Sequence, residues 1–356
     1  MHMRKKKSLL LVLLLVAAFI AGGVSLFLIE RAAAPRTIII TRTSGKQKTY
    51  AHQLPPASEQ KRAVVSDAAG REKFLRRGDH ELRESAPAAV LSALPLEKAA
   101  FSPKGGNAAN AAPQFQGAAA VVADVTTGKV YFSYYPEKRW PIASLTKLMT
   151  AVIATEHIPP QQEILLEQRH FPFDAGTPVL APGEKYSASD LLKVMLIASS
   201  NEAAEALADF YGREKFIQEM NRRAKEWQLS HTVFYDPTGL SASNQSTAQD
   251  LKKLVGILYG KYPQFFLITS KPKEIIYDLN SGAAKEIHST NVFAGDPGFL
   301  GGKTGYIDES GGNLISVFLY GRPVVFIVLG TTHRFGATAK LFRWFIHTYR
   351  PLGNNG

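Results

Sequence analysis

A chain of 356 residues, 45% of them hydrophobic, has room for one large domain or two small ones with a buried core. The absence of cysteine excludes disulfides, a thiol nucleophile and thiolate metal sites. The net charge of +12 is unevenly placed: residues 1–115 hold 18 Lys and Arg against 8 Asp and Glu, whereas residues 116–356 hold 24 against 22. The basicity belongs to the N-terminal third. A globular nucleic-acid-binding domain would carry its own basic face and is not expected.

Arg4-Lys5-Lys6-Lys7 precedes an uncharged apolar run over residues 8–29. As a helix such a run matches the ~30 Å hydrocarbon core of a bilayer, and it is longer than the apolar region of a typical cleaved signal peptide. Residues 1–30 are therefore predicted to be a basic cytoplasmic tip and one membrane anchor, with everything after Glu30 extracytoplasmic. A leader cleaved at Ala32-Ala33-Ala34, giving a secreted protein, is the alternative. Residues 31–115 are rich in Ala and Pro, basic, and without sustained apolar periodicity, which predicts a largely disordered linker. Within it residues 37–40 read as a short strand and residues 58–84 as a charged helix. The linker is a spacer, or its positive charge touches anionic lipid or wall polymer.

The folded domain is predicted over residues 116–356. Residues 118–125 and 129–134 around Gly128 read as a hairpin, and residues 143–156 as a helix. Helical patterns follow over 190–197, 202–211 and 215–227, then over 246–259, where Ser246 and Gln249 read as a capping box. Strands return over 274–279, 298–306, 313–320 and 323–329, and residues 337–349 form a last helix. Strands at both ends around a helical middle predict an α+β domain, with one antiparallel sheet built from both ends, flanked by helices, and a helical subdomain.

The helix after residue 143 carries the first chemistry. Leu145, Leu148, Met149, Val152 and Ile153 mark its buried stripe, and Ser144 and Lys147 lie one turn apart on a common face. The amine can take the hydroxyl proton, and a helix N-terminus favours the negative charge that develops. That requires the Lys pKa to fall by about three units, roughly 4 kcal/mol of desolvation and like-charge repulsion. Read locally, the same residues are an ordinary helix start. Two further clusters stand downstream. Ser199-Ser200-Asn201 lies between two helices, where Ser199 with Glu202 also reads as a capping box. Gly301-Gly302-Lys303-Thr304-Gly305-Tyr306 ends a strand. It is not a phosphate loop, because Pro297 stands where the first glycine would be.

In this order, S-x-x-K, S-x-N and K-T-G are the signatures of penicillin-interacting serine enzymes. With Thr290-Asn291 and the stretch from Gly239-Leu240 to Ser246-Thr247-Ala248-Gln249-Asp250-Leu251, the chain resembles the D-alanyl-D-alanine carboxypeptidase family, the low-molecular-mass penicillin-binding proteins. The resemblance implies that Ser144 attacks the carbonyl of a terminal D-Ala-D-Ala bond with Lys147 as base, giving an acyl-enzyme that water hydrolyses. It implies that Ser199 and Asn201 relay protons and hold the substrate amide. Lys303 would add positive potential, keeping Lys147 neutral and drawing in the substrate carboxylate, which Thr304 would bind. The oxyanion would sit between the backbone N–H groups of Ser144 and Tyr306, beside Gly305. Arg334 is the nearest candidate for a carboxylate-pairing Arg at the last helix.

The partners so implied are peptidoglycan stem peptides, β-lactam antibiotics as covalent inhibitors, and a bacterial cytoplasmic membrane reached through the N-terminal segment. No nucleic acid and no cofactor are implied. Relatives without a β-rich second domain include DD-endopeptidases, so cleavage of an internal crosslink is the alternative to terminal hydrolysis. A β-lactamase is not favoured, because E-x-x-L-N is missing between Asn201 and Lys303. A non-catalytic penicillin- or peptidoglycan-binding module and a structural wall protein are rivals that an intact trio argues against. The nine His residues show no H-E-x-x-H or comparable metal-ligand spacing, against a metallopeptidase.

Overall fold

The computed structural model describes residues 112–171 and 178–351, the strand Phe101–Pro103, and the backbone of five short strands between residues 24 and 74. Contacts divide the chain into two units, Met1–Arg83 and Glu84–Gly356. In the first, Val24–Phe27, Ile38–Arg42 and Tyr50–His52 form an antiparallel three-stranded sheet, and Val64–Ser66 pairs with Glu72–Phe74. The strand expected at 37–40 is present as Ile38–Arg42. The charged helix expected over residues 58–84 is replaced, at its described residues, by that last ribbon. Val64-Val65 is a β-branched pair that favours extended backbone. The apolar run at 8–29 lies outside the described residues except for Val24–Phe27, which is a strand. Among the described residues no helix is long and apolar enough to cross a membrane.

The second unit is organised on a five-stranded antiparallel sheet: β1 (Ala119–Asp124), β2 (Val130–Tyr134), β3 (Phe299–Ile307), β4 (Gly311–Tyr320) and β5 (Arg322–Thr331), in the order β3-β4-β5-β1-β2. Both ends of the domain thus contribute to one sheet, as the sequence predicts. The central strands are apolar at consecutive positions because both faces are covered. Val325, Ile327 and Leu329 of β5, with Val121 and Ala123 of β1, join one core. Val324, Phe326 and Val328, with Ala120 and Val122, join a second core on the opposite face.

Seven helices complete the described part of the unit: α1 (Lys147–His157), α2 (Ala188–Ile197), α3 (Asn201–Tyr211), α4 (Arg213–Glu226), α5 (Ala248–Lys261), α6 (Pro263–Thr269) and α7 (Arg334–Thr348). Helices α1 to α6 build the first core and α7 covers the second. Ser187, Ser200 and Thr247 cap α2, α3 and α5 by accepting the N–H groups of Asp190, Ala203 and Asp250. The cap expected from Ser246 in a box with Gln249 therefore falls to Thr247, and the Asp250 carboxylate accepts instead from the His231 N–H and the Thr232 hydroxyl. The short helix α6 was not anticipated, and neither was the ribbon Lys273–Tyr277 with Ala284–His288 beyond its first strand.

The folded unit also reaches upstream of Gln116. Phe101–Pro103, inside the expected linker, pairs antiparallel with Tyr349–Pro351. The Phe101 ring is buried edge-on against Phe345 at 5.1 Å and Tyr131 at 5.5 Å. Phe345 is fully buried beneath the sheet. Truncation by Phe345→Ala is expected to cost about 3–5 kcal/mol, measurable as a fall in the urea unfolding midpoint of the full chain.

Candidate active site

The site lies where the edge strand β3 meets the start of α1. A 3-10 turn, Ala143–Thr146, delivers Ser144, and Lys147 is the first residue of α1. The sequence predicts one apolar stripe on this helix. Instead every residue of α1 from Lys147 to Ala154 is buried, Thr150 and Ala151 included. The amine of Lys147 is thereby taken out of water. Its Nζ lies 3.1 Å from Ser144 Oγ, 2.6 Å from Asn201 Oδ1 and 2.7 Å from the Thr238 carbonyl. Burial lowers its pKa to about 7, against the opposing pull of Asp236, Glu202 and Glu205. The required fall of about three units is therefore met mainly by desolvation, with Lys303 not its leading cause.

Ser199 sits in the link between α2 and α3. Its expected part in a capping box falls instead to Ser200, which leaves the Ser199 hydroxyl free of the helix. Lys303 Nζ of β3 donates to Ser199 Oγ at 2.7 Å and to the Thr304 carbonyl at 3.0 Å. Burial pushes the Lys303 amine well below its ordinary pKa, and the charges of Lys147 and Arg334 push it further. Glu202, next to Asn201, accepts the Val179 N–H at 2.9 Å and ties the following segment to α3.

Thr304 Oγ1 lies 2.7 Å from Thr290 Oγ1. Arg334, the first residue of α7, donates from Nη1 to the Gly305 carbonyl at 3.3 Å, so its guanidinium reaches across to β3. Burial lowers its pKa, but a guanidinium keeps its charge in a protein. Tyr306 follows with its side chain exposed and its hydroxyl donating to Asp308 at 3.1 Å. Every site residue expected from sequence (Ser144, Lys147, Ser199, Asn201, Lys303, Thr304, Gly305, Tyr306 and Arg334) thus joins one connected region.

Two backbone strains mark that region. Ala143 (φ +48°) and Ser199 (φ +61°) hold left-handed conformations, costing non-glycine residues of order 1–3 kcal/mol each. Close packing enforces the first. A Cβ on Gly239, whose φ is +86°, would meet the Ala143 carbonyl oxygen at 1.9 Å, and one on Gly305 would meet the Ile142 carbonyl at 2.9 Å. Sequence reasoning missed the 236–241 turn as a working part. Asp236-Pro237-Thr238-Gly239 has a turn composition, but a backbone carbonyl leaves no mark in sequence. Among the described residues no group of three His, Asp or Glu side chains could hold a metal ion.

A serine hydroxyl beside a desolvated amine, next to a sheet edge that carries a second buried amine and is reached by a guanidinium, is an arrangement suited to acyl transfer through a serine on an α+β scaffold. Comparison with known proteins makes this specific. A family profile described as D-alanyl-D-alanine carboxypeptidase matches residues 106–332. A D-alanyl-D-alanine endopeptidase of Escherichia coli is 29% identical over 266 residues, covering 72% of this chain and 86% of that protein. A D-alanyl-D-alanine carboxypeptidase of the same organism is 30% identical over 264 residues, covering 68% and 64%. The crystal structure of penicillin-binding protein D2 from Listeria monocytogenes in an ampicillin-bound form superposes with a TM-score of 0.58 at 33% identity, covering 64% of this chain and 96% of that one. The chain belongs to the D-alanyl-D-alanine carboxypeptidase family and is a serine peptidase.

The buried amine makes stability depend on pH. The folded pKa of Lys147, about 7, lies below its ordinary 10.5, so folding is penalised wherever the free chain holds that proton. The penalty is absent above the ordinary value, grows as pH falls through this window, and is complete below about 7. Lys147→Met is therefore expected to gain stability relative to wild type as pH is lowered from about 10.5 to 7, and to show no further gain below. Urea unfolding of both proteins across that range measures it.

Proposed function

We propose that this chain is a serine D-alanyl-D-alanine carboxypeptidase acting on peptidoglycan stem peptides through an acyl-enzyme on Ser144. The observation that carries the reading is the Lys147 amine, buried, near-neutral, and 3.1 Å from the Ser144 hydroxyl. Lys147 takes the Ser144 proton as Oγ bonds to the penultimate D-Ala carbonyl carbon. The oxyanion is held by the backbone N–H groups of Ser144 and Tyr306, an arrangement in which each donor is worth about 3 kcal/mol. The C–N bond then breaks, and the departing D-Ala nitrogen receives a proton through Lys147 and Ser199. Asn201 holds the substrate amide. Water, activated by the same amine, adds to the ester and releases the shortened stem.

Lys303, Thr304 and Arg334 supply the charge and the hydroxyl for the substrate's terminal carboxylate. Edge strand β3 leaves backbone groups from Lys303 to Tyr306 for an extended peptide, while its earlier part is closed by α6, where Thr269 Oγ1 accepts the Gly302 N–H at 3.1 Å. β-Lactams acylate the same hydroxyl. The family's cell-wall substrate supports action outside the cytoplasm, and we assign attachment of the catalytic unit to the apolar N-terminal run, with the stretch between that run and Phe101 as tether.

A second reading, DD-endopeptidase action on crosslinks, is favoured by the alignment with the Escherichia coli endopeptidase, which spans more of both chains than that with the carboxypeptidase. Incubation of the purified chain with a pentapeptide stem and with a crosslinked dimer separates the two. Released D-Ala is expected; separated stems with no D-Ala would replace the reading by the second. Mass spectrometry of the penicillin-treated chain is expected to find the adduct on Ser144, and Ser144→Ala should abolish both adduct and product.

Because the neutral amine is the active form, acylation is expected to be lost as pH falls through about 7 and full above it. The rate of labelling by a fluorescent penicillin against pH is the measurement. A profile flat between pH 5 and 9 would remove Lys147 as base, since ionisation near 7 has to be visible within about one unit on either side.

A further inference from the structure

A base must be aimed as well as neutral, and a four-carbon stem does not aim an amine by itself. A neutral amine has two N–H groups and one lone pair. The two shortest contacts of Lys147 Nζ are to oxygens that only accept: Asn201 Oδ1 at 2.6 Å and the Thr238 carbonyl at 2.7 Å. With both hydrogens committed there, the lone pair is left for the Ser144 hydroxyl. Asn201 belongs to the expected trio, whereas Thr238 does not.

The Thr238 carbonyl is held in place by its neighbour two residues upstream. Asp236 Oδ1 accepts the Thr238 N–H (2.7 Å), the Thr238 hydroxyl (2.6 Å) and the Gly239 N–H (2.6 Å). Its Oδ2 accepts the Ser241 N–H (2.9 Å) and Asn244 Nδ2 (2.6 Å). Asn244, fully buried, closes the ring by accepting the Tyr235 N–H at 2.7 Å. A second anchor comes from α1 itself, where the Thr150 hydroxyl donates to the Pro237 carbonyl at 2.6 Å. The same turn seats Gly239 against the strained Ala143.

We propose that Asp236 is a positioning residue for the general base: its carboxylate folds residues 236–241 into the turn whose Thr238 carbonyl engages Lys147 and so points the amine's lone pair at Ser144. This rests on the reading of Lys147 as the base. The carboxylate also acts on the amine through space. Burial alone would raise the Asp236 pKa, but the bonds from Thr238, Ser241 and Gly239 bring it below the ordinary value, so the group is charged at neutral pH. The charged groups that bear on Lys147 are Asp236, Glu202, Glu205 and Lys303, and Arg213 in turn faces Asp236.

The test compares full chains of wild type, Asp236→Asn and Thr150→Val, by acylation with a fluorescent penicillin across the neutral pH range and by steady-state D-Ala release. Asp236→Asn keeps the shape, removes the charge and turns one oxygen into a donor facing the donors of Ser241 and Asn244. It is expected to lower acylation by about 10²-fold, the scale of a small misplacement of a reacting group, with kcat falling and KM little changed. Its pH midpoint should move below that of wild type, because a charge that favoured the protonated amine is gone. Thr150→Val removes one anchor and no charge, so a smaller loss of kcat with an unmoved midpoint is expected.

An Asp236→Asn chain that acylates at the wild-type rate, or loses rate with its midpoint unmoved, overturns the proposal. Should that variant fail to fold by circular dichroism, Thr150→Val decides: a lowered kcat at unchanged KM supports the proposal, and a wild-type rate overturns it. Absence of a Ser144 adduct in wild type would instead sink the underlying reading before any variant is measured.

Discussion

The buried amine of Lys147 is the constraint to which the rest of the unit answers. A lysine at the first turn of a helix is ordinarily solvated, because that end is usually the exposed one. Here α1 enters the interior directly, wrapped by the sheet on one side and by α3, α4 and the 236–241 turn on others. Desolvation lowers the pKa, and three oxygens replace the lost water. Neither effect suffices alone. A buried amine without acceptors would leave polar hydrogens unmet, and a solvated one would keep its proton and be no base at neutral pH.

The three short motifs come from three kinds of structure, and each solves a different local problem. Ser144 and Lys147 are set by helix geometry, which puts positions three apart side by side. Ser199 is set by strain: with its backbone in the left-handed region, the capping task passes to Ser200, and the Ser199 hydroxyl turns to Lys303. Lys303 to Tyr306 are set by their place on an edge strand, the position in a sheet that leaves backbone groups unpaired toward a ligand. Chain order alone brings none of them together. The antiparallel sheet does much of this, by linking β3 from the C-terminal part through β4 and β5 to β1 from the N-terminal part.

Much of this was legible in the sequence because the signals were local and redundant. The sheet strands announced themselves as apolar runs, and the main helices by periodicity, with ends misplaced by only a few residues. Arg334 could be named from its place near the last helix, although that helix begins three residues earlier than the apolar pattern suggests. What stayed hidden was non-local. Nothing in residues 58–84 distinguishes a charged helix from the ribbon found there, since the stretch carries no sustained apolar repeat that would fix a period. Phe101 looked like linker because its partners, Tyr131 and Phe345, lie far along the chain. Burial of the polar face of α1 was equally unreadable, because Thr150 is a surface residue in most helices and here bonds a carbonyl from a distant turn. The Thr238 carbonyl has no side-chain signature at all.

The energetic logic ties these observations together. The site holds a desolvated amine, a second buried amine at Lys303, and two left-handed non-glycine residues, each unfavourable by itself. Such a constellation persists only where its surroundings over-determine it. Gly239 and Gly305 let two backbones close onto the Ala143–Ser144 peptide, the Asp236 ring fixes one of them by five hydrogen bonds, and β4 fixes the other as a register partner. These supports draw their rigidity from a sheet covered on both faces, which explains why the most completely buried strands, β1 and β5, carry none of the expected site residues. Chemistry is confined to an edge strand, a helix start and two tight turns, where backbone groups and strain are available, and the interior strands supply the stability that these features consume.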